Sequence, residues 1–369
     1  MPSIKRGIIL LLVVVLFVLT SGCLNNILHP AGAEYPVIDH GDETPKYVAV
    51  EDTFTFQESD ISIKYSIDKV LYEDAKNTDK YVYLYDNISD SEWVSEYYRS
   101  FVNSEYMDEV YDAILGSLRQ VRDELSLDDD EYAELLSVYV QSIPYQTDRL
   151  NSDPRYPVET VYDDYGDCDD KSILLAGLLL KEGYDVALLE YESAEHMNVG
   201  IKSDGCEYGD TGYATIEATD VNLIGWERIE IGDGVLLDSE PIVITFDNTG
   251  DLYYTACSQV QKIYNIFENA AYRCDSLSSE IEKEEAELKV LKSEIDSLST
   301  QLSQMRSRGD ISAYNSNVAV YNSKVNSYND RSDDLQRTVD RYNNCVEVHN
   351  WILNHQYDRP GLYEYALLQ

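Results

Sequence analysis

From about residue 258 the apolar residues of this chain fall at heptad spacing: Ile263, Phe267, Ala270, Cys274, Leu277, Ile281, Leu288, Leu291, Ile295, Leu298, Leu302 and Met305. The steps alternate four and three, and Glu284 is the one polar break. A stripe of that period is buried only against another helix. Arg308-Gly309-Asp310 interrupts it, and a second seam follows with Tyr314, Val318, Tyr321, Val325, Tyr328, Leu335, Val339 and Tyr342. Two seams of similar length around a glycine predict an antiparallel coiled-coil hairpin over 258–356, with its turn near 309. Residues equidistant from that turn face each other. Cys274 and Cys345 meet this condition about the Gly309–Asp310 step, roughly 50 Å from the tip at a rise of 1.5 Å per residue, so a Cys274–Cys345 disulfide is expected there. The seam puts Val346, not Cys345, at the core position, which places the bridge at the seam's edge.

The chain has 369 residues, enough for about two domains of roughly 150 residues each. It carries 28 basic and 69 acidic residues, a net charge of −41. Nucleic acid is excluded as a partner, because phosphate binding needs a basic footprint. An acidic surface suits solubility in a salty exterior.

The N-terminus reads as a targeting segment. Lys5 and Arg6 precede an apolar run from Ile8 to Leu19, then Thr20-Ser21-Gly22-Cys23. The run is too short to span a bilayer but suits a signal peptide over 1–22. Small residues before a cysteine look like a lipoprotein box, with Cys23 the lipidated residue and Thr20 where an aliphatic is usual. A polar tether is expected over 23–45. Export permits disulfides, and Cys206 with Cys257 is the remaining pair. Asn87-Ile88-Ser89 is a glycosylation sequon.

Between tether and hairpin the expected class is α+β. Residues 46–89 read as a small β-rich region, because Ile61, Ile63, Tyr65 and Ile67 alternate with polar residues and Tyr81–Tyr85 is a β-prone run. A second domain is expected over 90–257. One helix buries Val110, Ile114, Leu118 and Val121; another, with Ser126 as N-cap, buries Tyr132, Leu135, Leu136 and Tyr139. Residues 357–369 read as a tail.

The chemistry lies between 157 and 220. Gly166-Asp167-Cys168 delivers a thiol to the start of a helix that is apolar nearly all round from Ile173 to Leu180 and ends at Gly183. A helix N-terminus favours the thiolate. His196 alone among the five histidines lies in this domain, opening a strand. The next strand, Tyr213–Thr219, offers Glu217 to orient the imidazole, with Asp220 the alternative; on a strand the two point to opposite faces. Asp163, Asp164, Asp167, Asp169 and Asp170 crowd the thiol and raise its pKa. A calcium site is the rival use of these aspartates, but they lack the alternating spacing of a calcium loop, so no metal or cofactor is expected.

This order of Gly-Asp-Cys-Asp-Asp at a helix start, a His-led strand and an acid-led strand resembles the transglutaminase-like superfamily of papain-like cysteine enzymes. Pro157–Val161, Gly183-Tyr-Asp-Val186 and Ile216–Asp220 look like its archaeal and bacterial members. The resemblance covers roughly residues 130 to 230. It implies a helix carrying Cys168 packed on an antiparallel sheet, a Cys168–His196–Glu217 triad in which Glu stands where Asp is commoner, and Gln141 as an oxyanion donor. The activity expected is extracytoplasmic acyl transfer from an amide through a Cys168 thioester, to water or to an amine. The substrate expected is a protein or peptide at the cell surface. The alternative is a non-catalytic surface adaptor whose hairpin holds a partner or a second copy.

Overall fold

The computed structural model describes residues 32–41, 43–147, 153–226, 230–231, 235–237 and 239–369. The expected signal peptide and Cys23 lie outside these residues. The fold is α+β, in two compact units that divide between Val260 and Gln261. Among the described residues no helix is long and apolar enough to cross a membrane.

The first unit runs β1 (Ala33–Glu34), β2 (Tyr47–Phe56), β3 (Ser59–Asp68), α1 (Lys69–Asn77), β4 (Tyr83–Leu84), α2 (Asp90–Val102), α3 (Met107–Leu125), α4 (Asp129–Ser142), α5 (Pro157–Asp163) and α6 (Cys168–Lys181). It continues with β5 (Val186–Tyr191), β6 (His196–Lys202), β7 (Tyr213–Ile216), β8 (Glu230–Ile231), β9 (Val235–Leu236) and β10 (Ile242–Thr245). The sheet that carries the site is antiparallel, in the order β10-β5-β6-β7. Helix α6 packs on it, with Ile173, Leu174, Leu175, Leu178 and Leu179 fully buried and Ser172 Oγ donating to Met197 O at 3.0 Å. Gly177 lets α3 come close: a Cβ there would lie 2.1 Å from the Tyr111 ring.

The 46–89 region is part of this unit. β2 and β3 pair from Tyr47↔Asp68 to Phe56↔Ser59, and every second residue (Ile61, Ile63, Tyr65, Ile67) is buried as the alternation requires. The Tyr65 hydroxyl meets that of Tyr139 in α4 at 2.9 Å. The expected Tyr81–Tyr85 strand shrinks to β4, whose side chains are exposed and which pairs only with β1. The tether reading also stops early: Pro36 and Ile38 are buried, and His40 Nδ1 lies 2.7 Å from Asp74 Oδ2. Ser126 is not an N-cap. It closes α3 in the left-handed region (φ 56), and Asp128 caps α4 by accepting the Glu131 N–H at 2.9 Å. The aspartate is the better acceptor for a helix's first N–H groups.

Cys206 is bonded to Cys257. At Cys257 begins α7 (Cys257–Arg308), followed by α8 (Ile311–Asn354) and α9 (Arg359–Leu368), so the expected tail is a helix. Gly309 (φ +75) makes the turn and the Asp310 carboxylate caps α8. Lys324–Glu294 (2.6 Å), Arg331–Glu287 (2.7 Å) and the stacked Phe267 and His349 rings join residues nearly equidistant from that turn. Cys274 and Cys345 are neighbouring thiols that are not bonded to each other; burial and Cys345 raise the Cys274 pKa. The second seam from Tyr314 to Leu335 is half-buried as expected, but farther on Thr338 and Cys345 are buried and their neighbours Val339 and Val346 only half-buried.

Candidate active site

Two local devices bring Cys168 into place. Gly166 bridges the loop after α4, its N–H bonding Pro144 O (3.2 Å) and its carbonyl accepting from Gln146 (3.0 Å). A Cβ on Gly166 would meet the Asp170 Cβ at 2.9 Å, so glycine is required for this approach. Asp167 then caps the helix start, its N–H donating to Asp170 Oδ2 at 3.2 Å.

The Cys168 thiol lies 3.8 Å from the Glu195 carbonyl oxygen and accepts the Met197 N–H. It therefore sits against the backbone on both sides of His196. The buried His196 ring uses Nε2, which lies 3.0 Å from Glu217 Oε2 and 2.8 Å from the Asn198 amide. The other end of the Asn198 amide lies 3.1 Å from Thr215 Oγ1. With Nε2 held by a carboxylate, Nδ1 is the nitrogen left to accept a proton.

Glu217 follows the end of β7, one residue beyond Ile216, so the expected strand to Thr219 stops short. Its other oxygen accepts from Thr219 N (2.9 Å) and Thr219 Oγ1 (2.6 Å). Burial works to raise the Glu217 carboxyl, but His196 and Thr219 outweigh it and the pKa falls below its ordinary value. Asp220 is exposed and its carboxylate accepts the Val221 N–H; His196 bonds Glu217 instead.

Gln141 is not placed to meet an oxyanion. It is buried, and its Nε2 donates to Glu217 O (2.7 Å) and Asn222 O (3.1 Å), which commits both amide protons to holding the acid's loop. Lys171, one helical turn past Cys168, was missed. Its fully buried ammonium donates to the carbonyls of Gln141 (3.1 Å), Ile143 (2.7 Å) and Thr219 (3.4 Å), joining α6 to the end of α4 and to the Glu217 loop. Burial pulls its pKa down to about 8, against the pull of Glu217 and Asp220. A lysine at the head of an all-apolar helix was the signal. For Asn198 the signal was its period-2 spacing from His196 on a buried strand.

The electrostatics oppose a resting thiolate. Burial pushes the Cys168 thiol well up, and Asp169 and Asp167 push it further; the Met197 N–H alone works the other way. Carboxylate oxygens of Asp167, Asp169 and Asp170 gather within 4.8 Å of one another. Protons and Arg155 balance this set. Burial and a hydrogen bond to Asp167 hold the Asp169 carboxyl well above its ordinary value, and burial with Asp167 lifts Asp170 to about 7 although Arg155 lies 3.5 Å away. Two tyrosines stand near the thiol: burial, with Asp169 and Glu190, raises Tyr98 in α2, and burial raises Tyr145 after α4.

Compared with known protein families, characterised proteins and solved structures, the chain matches none.

Proposed function

We propose that this chain is a cysteine-dependent amidase or acyltransferase of the transglutaminase-like kind, with a papain-like core formed by α6 on its antiparallel sheet, exported and held at the cell surface through a lipid on Cys23. One observation carries the reading: the Cys168 thiol rests against the backbone that flanks His196, and that histidine's far nitrogen is held by a buried Glu217. A nucleophile, a base and a group that orients the base are the minimum for acyl transfer from an amide.

Burial and the flanking aspartates favour the neutral thiol, so in this reading His196 Nδ1 takes its proton as Sγ attacks the carbonyl carbon. The S–C bond forms, the C–N bond breaks, and the same proton passes to the leaving amine. Water, or an amine, then attacks the thioester and releases the thiol. With the Gln141 amide committed, the first N–H groups of α6 are the donors a developing oxyanion has. Glu217 keeps the imidazole in the tautomer that can accept at Nδ1.

The raised thiol favours one rival, a site that holds a peptide without cleaving it while the α7–α8 hairpin engages a partner. Intact-mass analysis of the protein with peptide amides, with and without a primary amine, separates the two. A thioester that disappears in Cys168→Ala supports the enzyme. Peptide binding with neither thioester nor turnover under reducing conditions leaves the adaptor.

A further inference from the structure

Glu190 lies on β5 directly opposite Met197 on β6, and the Met197 N–H is the group that bonds the Cys168 thiol. Its carboxylate is half-buried, with one oxygen, Oε2, fully enclosed and without a hydrogen-bond partner. Among the described residues no cation forms an ion pair with it either. Three other enclosed acids of the first unit each face a cation: Glu159 meets Lys80 at 2.7 Å, Asp170 meets Arg155 at 3.5 Å, and Glu217 meets His196 at 3.0 Å; buried Glu134 is instead met by the Tyr254 hydroxyl. Three enclosed cations of this unit are committed elsewhere. Arg155 is shared by Asp163 and Asp170, Lys80 belongs to Glu159, and Lys171 is spent on three carbonyls.

An enclosed carboxylate with nothing opposite is costly, and an external cation recovers that cost. Building on the amidase reading above, we infer that Glu190 seats a cationic side chain of the substrate, a lysine or arginine adjacent to the amide under attack. The Tyr98 phenol feels the charges of Asp169, Glu190 and Cys168, so it lies on the same side of the sheet as Glu190 and the thiol. The cation is a spectator and not the acceptor amine. An attacking amine must be neutral, whereas a carboxylate favours the ammonium form.

The test uses internally quenched peptides that differ only in lysine or its neutral isostere norleucine on either side of the cleavable amide. Lysine is expected to raise kcat/KM about tenfold, as one recovered charge pair of about 1.4 kcal/mol would. The lysine-to-norleucine ratio should fall close to one in Glu190→Gln. A parent enzyme without lysine preference, or a Glu190→Gln variant that keeps it, overturns the inference. Thioester formation with the norleucine peptide alone would show that the amidase reading survives while Glu190 fails. If no peptide is turned over, the amidase reading fails by itself. Anisotropy of labelled lysine and norleucine peptides on Cys168→Ala then decides for Glu190: equal binding overturns it, and tighter lysine binding that Glu190→Gln removes supports it.

Discussion

Helix α6 has 14 residues and is buried on nearly every side, whereas α7 and α8 have 52 and 44 and bury one stripe each. Their polar groups differ in the same way. In α6 the side chains of Asp170, Lys171 and Ser172 close bonds to Arg155, Ile143 and Met197, all in other elements. Along the hairpin the pairs are local, as in Lys292–Asp296, or are single rungs between the helices, as in Lys324–Glu294. Charge divides likewise: residues 1–260 hold 16 basic and 52 acidic residues, and residues 261–369 hold 12 and 17. The first unit concentrates unbalanced charge in a network where each member holds several others. In the second, each rung stands almost alone, so substitutions there should add independently.

The sharpest way to break this contrast is to cut each region. If the proposed amidase chemistry holds, His196→Ala removes its base and should lower kcat/KM by about 10³-fold or more. Excising three heptads from each arm, residues 285–305 and 314–334, keeps the turn and the register and should leave kcat/KM within about twofold. Loss of activity on shortening would show that the hairpin takes part in catalysis.

The next effect belongs to the hairpin alone. Cys274 and Cys345 are adjacent thiols. Mild oxidation with diamide in a Cys168→Ala background should join them, seen as one cross-linked peptide in a non-reduced digest. Closing a loop of about 70 residues stabilises by about 4 kcal/mol in the chain-entropy model, read as a higher melting temperature for the helical signal. Cross-links between molecules in place of the internal bridge would refute the adjacency.

A smaller effect tests the network around α6. Folded, Lys171 gives up its proton near pH 8; unfolded, it keeps it to its ordinary value of 10.5. Between those values the unfolded chain binds more protons at this group, so its contribution to stability rises with pH. Urea unfolding should show the parent gaining about 2 kcal/mol relative to Lys171→Met from pH 7.5 to pH 9.5; the comparison cancels the tyrosines and Cys168, which ionise more readily unfolded and pull the other way in both proteins. At pH 7.5 Lys171→Met should also lose about 2 kcal/mol, because three carbonyls are left unpaired. An equal pH response in both proteins would mean that Lys171 is not enclosed as described.

What the sequence showed follows the same division. The hairpin was legible because periodicity is a local property. Its error was local: near the open end the buried residues are Thr338 and Cys345, one place before the expected Val339 and Val346. Cys168, His196 and Glu217 were legible because each stands at the edge of an element whose pattern could be read. The partners were not. Gln141 bonds carbonyls 76 and 81 residues away, and no local signal distinguishes that commitment from an oxyanion role. Ser126 was misread because serine and aspartate both cap helices, and only the chain's left-handed turn at 126 decides between them.

The finest discrimination lies at Glu284, the polar break in the first seam. Its Oε2 is enclosed without a partner, between half-buried Ile281 and buried Leu288 of the same seam. A carboxylate in that position loses hydration and gains no bond. Glu284→Leu completes the heptad pattern, so the hairpin should gain about 1 kcal/mol, seen as a rise of a few degrees in its melting temperature. Catalysis should not change. The comparable repair at Glu190 has the opposite meaning. There an unmatched carboxylate borders the thiol's backbone contact, and a neutral replacement should remove a substrate preference. If Glu284→Leu instead destabilises the hairpin, that carboxylate has a partner in solution, and the rungs of the second unit are no more independent than the network around α6.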